Sequence, residues 1–406
     1  MKKILYTLLF VLLAMAARAQ EFSEFQDTSL NSITLGKGKN QIQIGGRVSG
    51  YYEYRALKPG FTNLDHNGFA MKDGDIDLLG HTKQQFVYEF HLSVLDLATA
   101  AATQNTDNPA NPGIKAAYLE YMGWPVHIKF GYDKLPFSQG SLNEVWGTPM
   151  WSHANLYGGD LFSRRDMGIT LNSSFWKNRI NLYAGAYSGM GENFFEYGND
   201  QSGTFEYVGR AEFCYPAVLK YQPIDEDHNT IPQIRLAVDA RYEDKTQPAG
   251  QTIASNYPDA LGAYGTRMIN GKRLIYGGDF IIKYQGFSAL FEADIMRLQP
   301  TSATDDLYQG TPASFNGGYI NSGGFVTGLN YDWQKIRSVF SIQYENFNTN
   351  DLQKGAQSWL YLGYAYKVKG FKSVFKVEYF IPTTEDVAAN PLKYTSELRV
   401  GYQIVF

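Results

Sequence analysis

From about Gln41 to the last residue, apolar and polar side chains alternate with a period of two, the repeat of a strand with two different faces. In QIQIGGRVSGYYEYR, Ile42, Ile44, Val48, Tyr52 and Tyr54 share one face, and Gln43, Arg47, Ser49 and Glu53 share the other. In QFVYEFHLSV, Phe86, Tyr88, Phe90, Leu92 and Val94 oppose Glu89, His91 and Ser93. In FKSVFKVEYF, Phe371, Phe375, Val377 and Tyr379 oppose Lys372, Lys376 and Glu378. Sixteen such segments are expected, at about 41–55, 69–81, 84–96, 114–122, 126–133, 166–175, 178–189, 204–215, 232–243, 273–285, 286–298, 319–332, 335–347, 357–368, 370–380 and 394–406.

The connections alternate in length. HTK, GWP, WKN, Gln285-Gly286, WQK and Lys369-Gly370 are tight, whereas ALKPGFTNLDHNG, LATAAATQNTDNPANPG and DKTQPAGQTIASNYPDALGAYGTRMINGK are long. Outer-membrane barrels combine short periplasmic turns with long external loops. A soluble sandwich has no reason to keep that asymmetry. The expected fold is therefore all-β, a transmembrane antiparallel β-barrel of 16 strands. One connection breaks the rule, because Pro216–Ile231 is long where a tight turn is due.

In a barrel of this size the interior is wet, so polar faces point inward and apolar faces meet lipid. By that alternation Arg47, Lys129, Arg210, Arg235, Arg241, Lys283, Lys376 and Arg399 line the lumen. Glu53, Asp73, Asp75, Asp77, Glu89, Glu120, Glu212, Asp239, Glu292, Asp294, Glu378 and Glu397 join them. Tyr52, Tyr54, Tyr121, Tyr132, Tyr364, Tyr366 and Tyr379 are expected in the aromatic girdles at the two interfaces.

Composition agrees with this reading. Of 406 residues, 30 are Tyr, 26 Phe and 40 Gly, a mixture suited to strands and turns. Basic and acidic residues number 36 and 40, which argues against a nucleic-acid partner. Lys2 and Lys3, an apolar run from Ile4 to Ala17, and Ala17-Arg18-Ala19 read as a signal peptide over residues 1–19, cleaved after Ala19. Residues 20–40 then form a short N-terminal periplasmic segment, and residues 41–406 the barrel. Cys214 is the only cysteine, so no internal disulfide can form.

Chemistry-bearing motifs are few. There is no Walker loop, HExxH or GxSxG, and the six histidines lack ligand spacing. The run DGDID, Asp73 to Asp77, begins like a calcium loop. Leu78 and Gln84 then stand where Gly and Glu are needed, so an acidic lumen face is the preferred reading over a calcium site. No enzyme activity, cofactor or metal is expected.

The stretch GYDKLPFSQGSLNEVWGTPMWSHANLYGGDLFSRRDMGITL resembles the phosphate-selective porin O/P family. The resemblance rests on Lys134-Leu135-Pro136-Phe137-Ser138, the long loop after it, and Arg165-Asp166-Met167-Gly168 at a strand start. The hairpins IKAAYLEYMGWPVHIKFG and DLLGHTKQQFVYEFHLSVLD also fit. The resemblance implies an outer-membrane porin of sixteen strands, usually a homotrimer, whose long third external loop folds into the lumen. That loop corresponds to about Lys134–Arg164. Lys134, Arg164, Arg165 and Asp166 are then the candidates for the pore constriction, with tethering of the loop the alternative for Arg165-Asp166. The ending also resembles an outer-membrane assembly signal, with Arg399, Gly401, Ile404 and Phe406 at the matching positions.

The expected function is passive diffusion of small hydrophilic solutes or ions through a channel in the cell outer membrane. Anions such as phosphate are among the candidate solutes, although the mixed lumen wall lacks the basic track a phosphate conduit needs. Outer-membrane lipid and the barrel assembly machinery are the expected partners. The alternative from another class is a secreted, soluble β-sheet glycan-binding protein.

Overall fold

The computed structural model describes residues 33–37, 40–60, 67–83, 85–102, 113–154, 163–246, 271–301, 319–348, 356–383 and 394–406. The signal-peptide reading and most of the N-terminal segment lie outside the described residues. Sixteen strands close into one antiparallel barrel. In chain order they follow a short strand β1 (Ile33–Lys37): β2 (Asn40–Leu57), β3 (Gly68–Thr82), β4 (Phe86–Ser93), β5 (Ile114–Tyr121), β6 (His127–Lys134), β7 (Arg165–Phe175), β8 (Ile180–Tyr187) and β9 (Glu206–Tyr215). The second half is β10 (Gln233–Lys245), β11 (Gly271–Tyr284), β12 (Phe287–Pro300), β13 (Ile320–Trp333), β14 (Ser338–Asn348), β15 (Gln357–Lys367), β16 (Ser373–Pro382) and β17 (Tyr394–Val405). Each strand from β2 to β17 pairs with its neighbour in sequence. The pairing of β17 with β2, from Tyr394↔Leu57 to Val405↔Arg47, closes the ring. Closure leaves no open edge along the wall.

All sixteen expected strands are present, with ends displaced by a few residues. The period-two signal is strong because it is local to each strand. Burial follows it with the polarity of an inverted protein. On β10, Arg235, Asp239, Arg241 and Glu243 are buried, while Leu236 and Val238 are 54% and 61% exposed. The outer face also shows Phe287, Leu329, Phe130 and Ile404.

Four details differ from expectation. Residues 33–37, expected ahead of the barrel, form β1 against Asn40–Ile44, continuing the edge of β2 beyond the end of β17. Residues 94–102, read partly as strand, are a helix. Its run LDLATAAA is rich in helix-forming Leu and Ala, and the Ser93 hydroxyl accepts from the Asp96 N–H at 3.3 Å as a cap. Tyr132 is no girdle residue, because it is 2% exposed and packs on Phe195 of the β8–β9 connection, with ring centroids 4.8 Å apart. Phe371 leaves the outer face because it sits in the β15–β16 turn, where it packs with Val339 and Val374. A register shift opposite Ser49-Gly50 skips Lys72, a bulge that takes this charged residue out of the alternation of β3.

At one end of the barrel the connections are tight: 83–85, 122–126, 176–179, 285–286, 334–337 and 368–372. The exception is 216–232 between β9 and β10, the connection that also stood out in the sequence. The long connections, including 135–164 between β6 and β7, all lie at the other end.

Candidate functional site

The described part of the β6–β7 connection, residues 135–154, is seated against the inner faces of many strands. At its start, the Ser138 N–H donates to Asp239 on β10 at 2.9 Å, and the Gly140 N–H donates to Glu292 on β12 at 2.9 Å. Further on, Lys376 of β16 donates to the carbonyls of Val145 and Trp146, both at 3.3 Å. Gln403 of β17 donates to the Trp146 carbonyl at 3.0 Å, and Arg399 to the Ser152 hydroxyl. Apolar packing reinforces the seat. Leu135, Phe137, Met150 and Ala154 cluster with Val208, Ile275, Ile281, Leu290, Val326, Phe347 and Trp359 from β9 to β15. Burial of side chains as large as Phe137 and Trp151, at 0% and 1% exposed, contributes roughly 1.5–3 kcal/mol each.

Two of the three cations expected at the constriction are engaged by this loop. Lys134 donates to the carbonyl of Leu142 at 3.0 Å and pairs with Glu144. Arg164 reaches the same turn, donating through Nη2 to the carbonyls of Ser141 at 2.9 Å and Asn143 at 3.2 Å. Burial alone would raise the Glu144 carboxyl. Lys134, then Arg165, Arg47 and Arg164, outweigh it and hold that carboxyl well below its usual range. Asp166 is fully buried and engaged on both oxygens, accepting from the N–H groups of Met167 and Gly189, each at 2.7 Å. Its geometry is that of a tether between β7 and the β8–β9 connection. Arg165 opens β7 opposite Lys134.

The expected lumen residues all lie on the inner face, mostly in ion pairs. Arg47 bonds to Asp75 and lies 3.2 Å from Asp73. Arg210 is a hub for Glu212, Asp239 and Asp279, all nearly fully buried. Arg235 sits 3.6 Å from Asp279, and its guanidinium lies 4.3 Å from the centre of the Tyr221 ring. Arg241 donates to Glu206 at 2.6 Å and to the Ser163 carbonyl at 2.8 Å. Lys129 and Asp133 pair at 2.7 Å, and Lys376 also lies over Trp151. Asp77 pairs with His91 at 3.2 Å, and their donor atoms lie within 4.8 Å of one from Glu89. His91 bridges Asp77 and Asp75, and Glu89 accepts from the Tyr118 hydroxyl at 2.9 Å. At the chain end, Arg399 bonds to Glu53 at 3.1 Å, and Gly401 faces Tyr51 so closely that a side chain would collide. Ile404 is exposed on the outer face, while Phe406 exchanges backbone hydrogen bonds with Gly46 at 2.8 and 2.9 Å.

Sequence reasoning missed the neutral contacts that bind the loop to the 216–232 segment. Gln139 donates to the Tyr221 carbonyl, and Gln222 to the Gly147 carbonyl at 2.8 Å. The signal was the anomalous length of that connection. Two cavities flank the contact. The larger, about 140 Å³, is lined by Glu120, Lys129, Asn172, Tyr183, Leu142 and Tyr221. The smaller, about 40 Å³, lies between Gly140, Met150, Pro223, Leu290 and Gln343.

This architecture has solved counterparts. An anion-selective porin from Comamonas acidovorans superposes with a TM-score of 0.56 over 90% of this chain and 100% of its own, at 10% identity. The fold is that of a porin. OmpF of Salmonella typhi, in complex with daunomycin, shares it at TM-score 0.53 and 10% identity, covering 92% of this chain and all of its own. So does a trimer form of OmpT from Vibrio cholerae, at TM-score 0.51 and 10% identity over 91% and 100%. No family model matches the sequence, and no curated protein does. The likeness is one of porin fold, carried by topology at an identity where side chains have diverged.

Proposed function

We propose that this chain is an outer-membrane porin through which small hydrophilic solutes diffuse passively. The observation that carries the reading is the closed sixteen-strand barrel with charged residues inside and large apolar residues outside. Only a closed barrel lets strands cross lipid, because every backbone donor and acceptor must be paired. An outer face carrying Leu236, Val238, Phe287 and Leu329 suits lipid and would aggregate in water. A soluble glycan-binding protein has no use for it.

In this reading residues 1–19 are an export signal, and the ending with Phe406 is read by the barrel assembly machinery. The β6–β7 loop is the external loop that narrows the lumen. Kinship with phosphate-selective porin O/P proteins rests on the Lys134–Ser138 and Arg165–Gly168 motifs. A preference for phosphate does not follow. Lys134 and Arg164 already satisfy loop carbonyls and Glu144, so these two are not a free basic pair for a multivalent anion. The trimeric OmpT neighbour supports a homotrimer, and the reading needs no cofactor or catalytic step.

Planar-bilayer recording of the purified chain tests this. Discrete steps in KCl, with a heat-modifiable band in the outer-membrane fraction, are expected. Recovery in the soluble periplasmic fraction with no conductance would overturn the reading.

A further inference from the structure

The β9–β10 connection is the one described segment at the tight-turn end that is long, and it turns inward. Leu219, Ile224 and Asp225 are 4%, 3% and 1% exposed. Asp225 anchors its base, accepting from the Gly286 N–H at 2.8 Å and from the Asn229 amide at 2.6 Å. Tyr221 is held from the wall side, donating to Glu212 at 2.7 Å with Arg235 against its ring. Its far side meets the β6–β7 loop through the Gln139–Tyr221 and Gln222–Gly147 hydrogen bonds. Trp146 of that loop and Ile224 of this segment also pack into the same apolar cluster.

Two segments entering from opposite ends therefore touch inside the barrel. The contact has a distinct residue on each side. Tyr221 lines the larger cavity, Pro223 lines the smaller, and Gln222 between them ties the segments together.

We propose that the two segments form a fixed septum that divides the pore into two lanes. The wider lane, along β5–β8 and bounded by Tyr221, carries the solute and selects it by size and not by charge. This rests on the porin reading above. Size selection follows from the narrow gap, because a septum bonded at both ends cannot yield to a larger solute. Weak charge selection follows from the lining. Glu120 pairs with His127 at 3.5 Å, Lys129 with Asp133, and Lys134 with Glu144. An ion entering the lane must compete with an existing partner of its own sign, whereas a neutral hydroxyl-bearing solute exchanges hydrogen bonds without that Coulomb penalty.

The test is single-channel recording of the purified chain in planar bilayers with polyethylene glycols of graded size and a KCl gradient. The unmodified protein is expected to exclude polymers sharply above about monosaccharide size, with a reversal potential near zero. Tyr221→Ala should raise conductance about two-fold and shift the exclusion limit upward, while Tyr221→Phe, which keeps the ring, should leave both unchanged. A conducting protein with strong ion selectivity, or one whose exclusion limit ignores Tyr221→Ala, would overturn the septum and leave the porin reading standing. Should Tyr221→Ala fail to fold, the exclusion limit and reversal potential of the unmodified protein still decide. Absence of any conductance from correctly folded protein would remove the porin reading itself.

Discussion

The two halves of the barrel wall are built from the same alternating strands, yet their inner faces differ. On β9–β16 most inner residues are sealed: Asp279, Glu292, Val326, Glu345, Trp359 and Lys376 are all at most 3% exposed. On β3–β8, although Asp75, Glu120 and Asp166 are buried, other charged inner side chains keep contact with solvent. Those of His127, Lys129, Asp133 and Asp77 are 14%, 21%, 20% and 25% exposed. The strands do not cause this difference. Leu135, Phe137 and Met150 cluster mainly with residues of the first wall, and only Tyr187 of β8 joins them from the second. The environment of a lumen residue is thus set by what is folded against it, and only its direction by the strand repeat.

Charge removal should separate the halves most. Arg210→Leu would strand three buried carboxylates, Glu212, Asp239 and Asp279, and is expected to lower stability by about 3–5 kcal/mol. Lys129→Leu removes one half-solvated pair on the open side and should lower it by no more than about 1 kcal/mol. Urea unfolding in lipid, followed by gel mobility, would read both, and equal effects would erase the distinction.

Truncation of apolar bulk should give the next largest contrast. Phe347 is fully buried against the loop, so Phe347→Ala is expected to cost about 3–5 kcal/mol. Tyr183→Ala on the cavity wall should cost less than about 1.5 kcal/mol and appear instead as higher conductance, since the larger cavity it lines widens. The same recordings with Arg164→Ala sharpen the role of the cations. Because Arg164 binds the carbonyls of Ser141 and Asn143, its loss should add current noise from a loosened turn. A large shift of reversal potential toward cations would instead place its charge in the solute path.

The pH response should be the smallest effect. Glu144 is depressed, so its stabilising pairing with Lys134 is fully present above the ordinary carboxylate value of 4.5 and is lost only as pH falls through its lower folded value. Between about pH 7 and about pH 5 the Glu144 pairing should therefore leave the conductance unchanged. A step within that window would show that another group controls the loop.

The strands were legible in the chain because a period of two is written within about ten residues at a time. The turn-length asymmetry was legible for the same reason, and it exposed Pro216–Ile231 as the anomaly. The interior was not legible, because its contacts join distant positions. Ser138 meets Asp239, Gly140 meets Glu292, and Trp146 meets Gln403. Lys134 and Arg164 could be picked out by charge, but their engagement with backbone carbonyls of the same loop has no sequence signature. Gln139 and Gln222 carry no charge, and only the anomalous length of the 216–232 connection pointed toward their contacts.

Thiol accessibility tests the difference between the two halves most directly. In a Cys214→Ser background, Asn172→Cys places a thiol on the larger cavity and Val326→Cys places one beneath the packed loop. With a membrane-impermeant thiol reagent, Asn172→Cys is expected to react readily and lose current. Val326→Cys should react at least about 100-fold more slowly, since a buried thiol is inert. Equal labelling of the two positions would contradict a barrel filled on one side and open on the other.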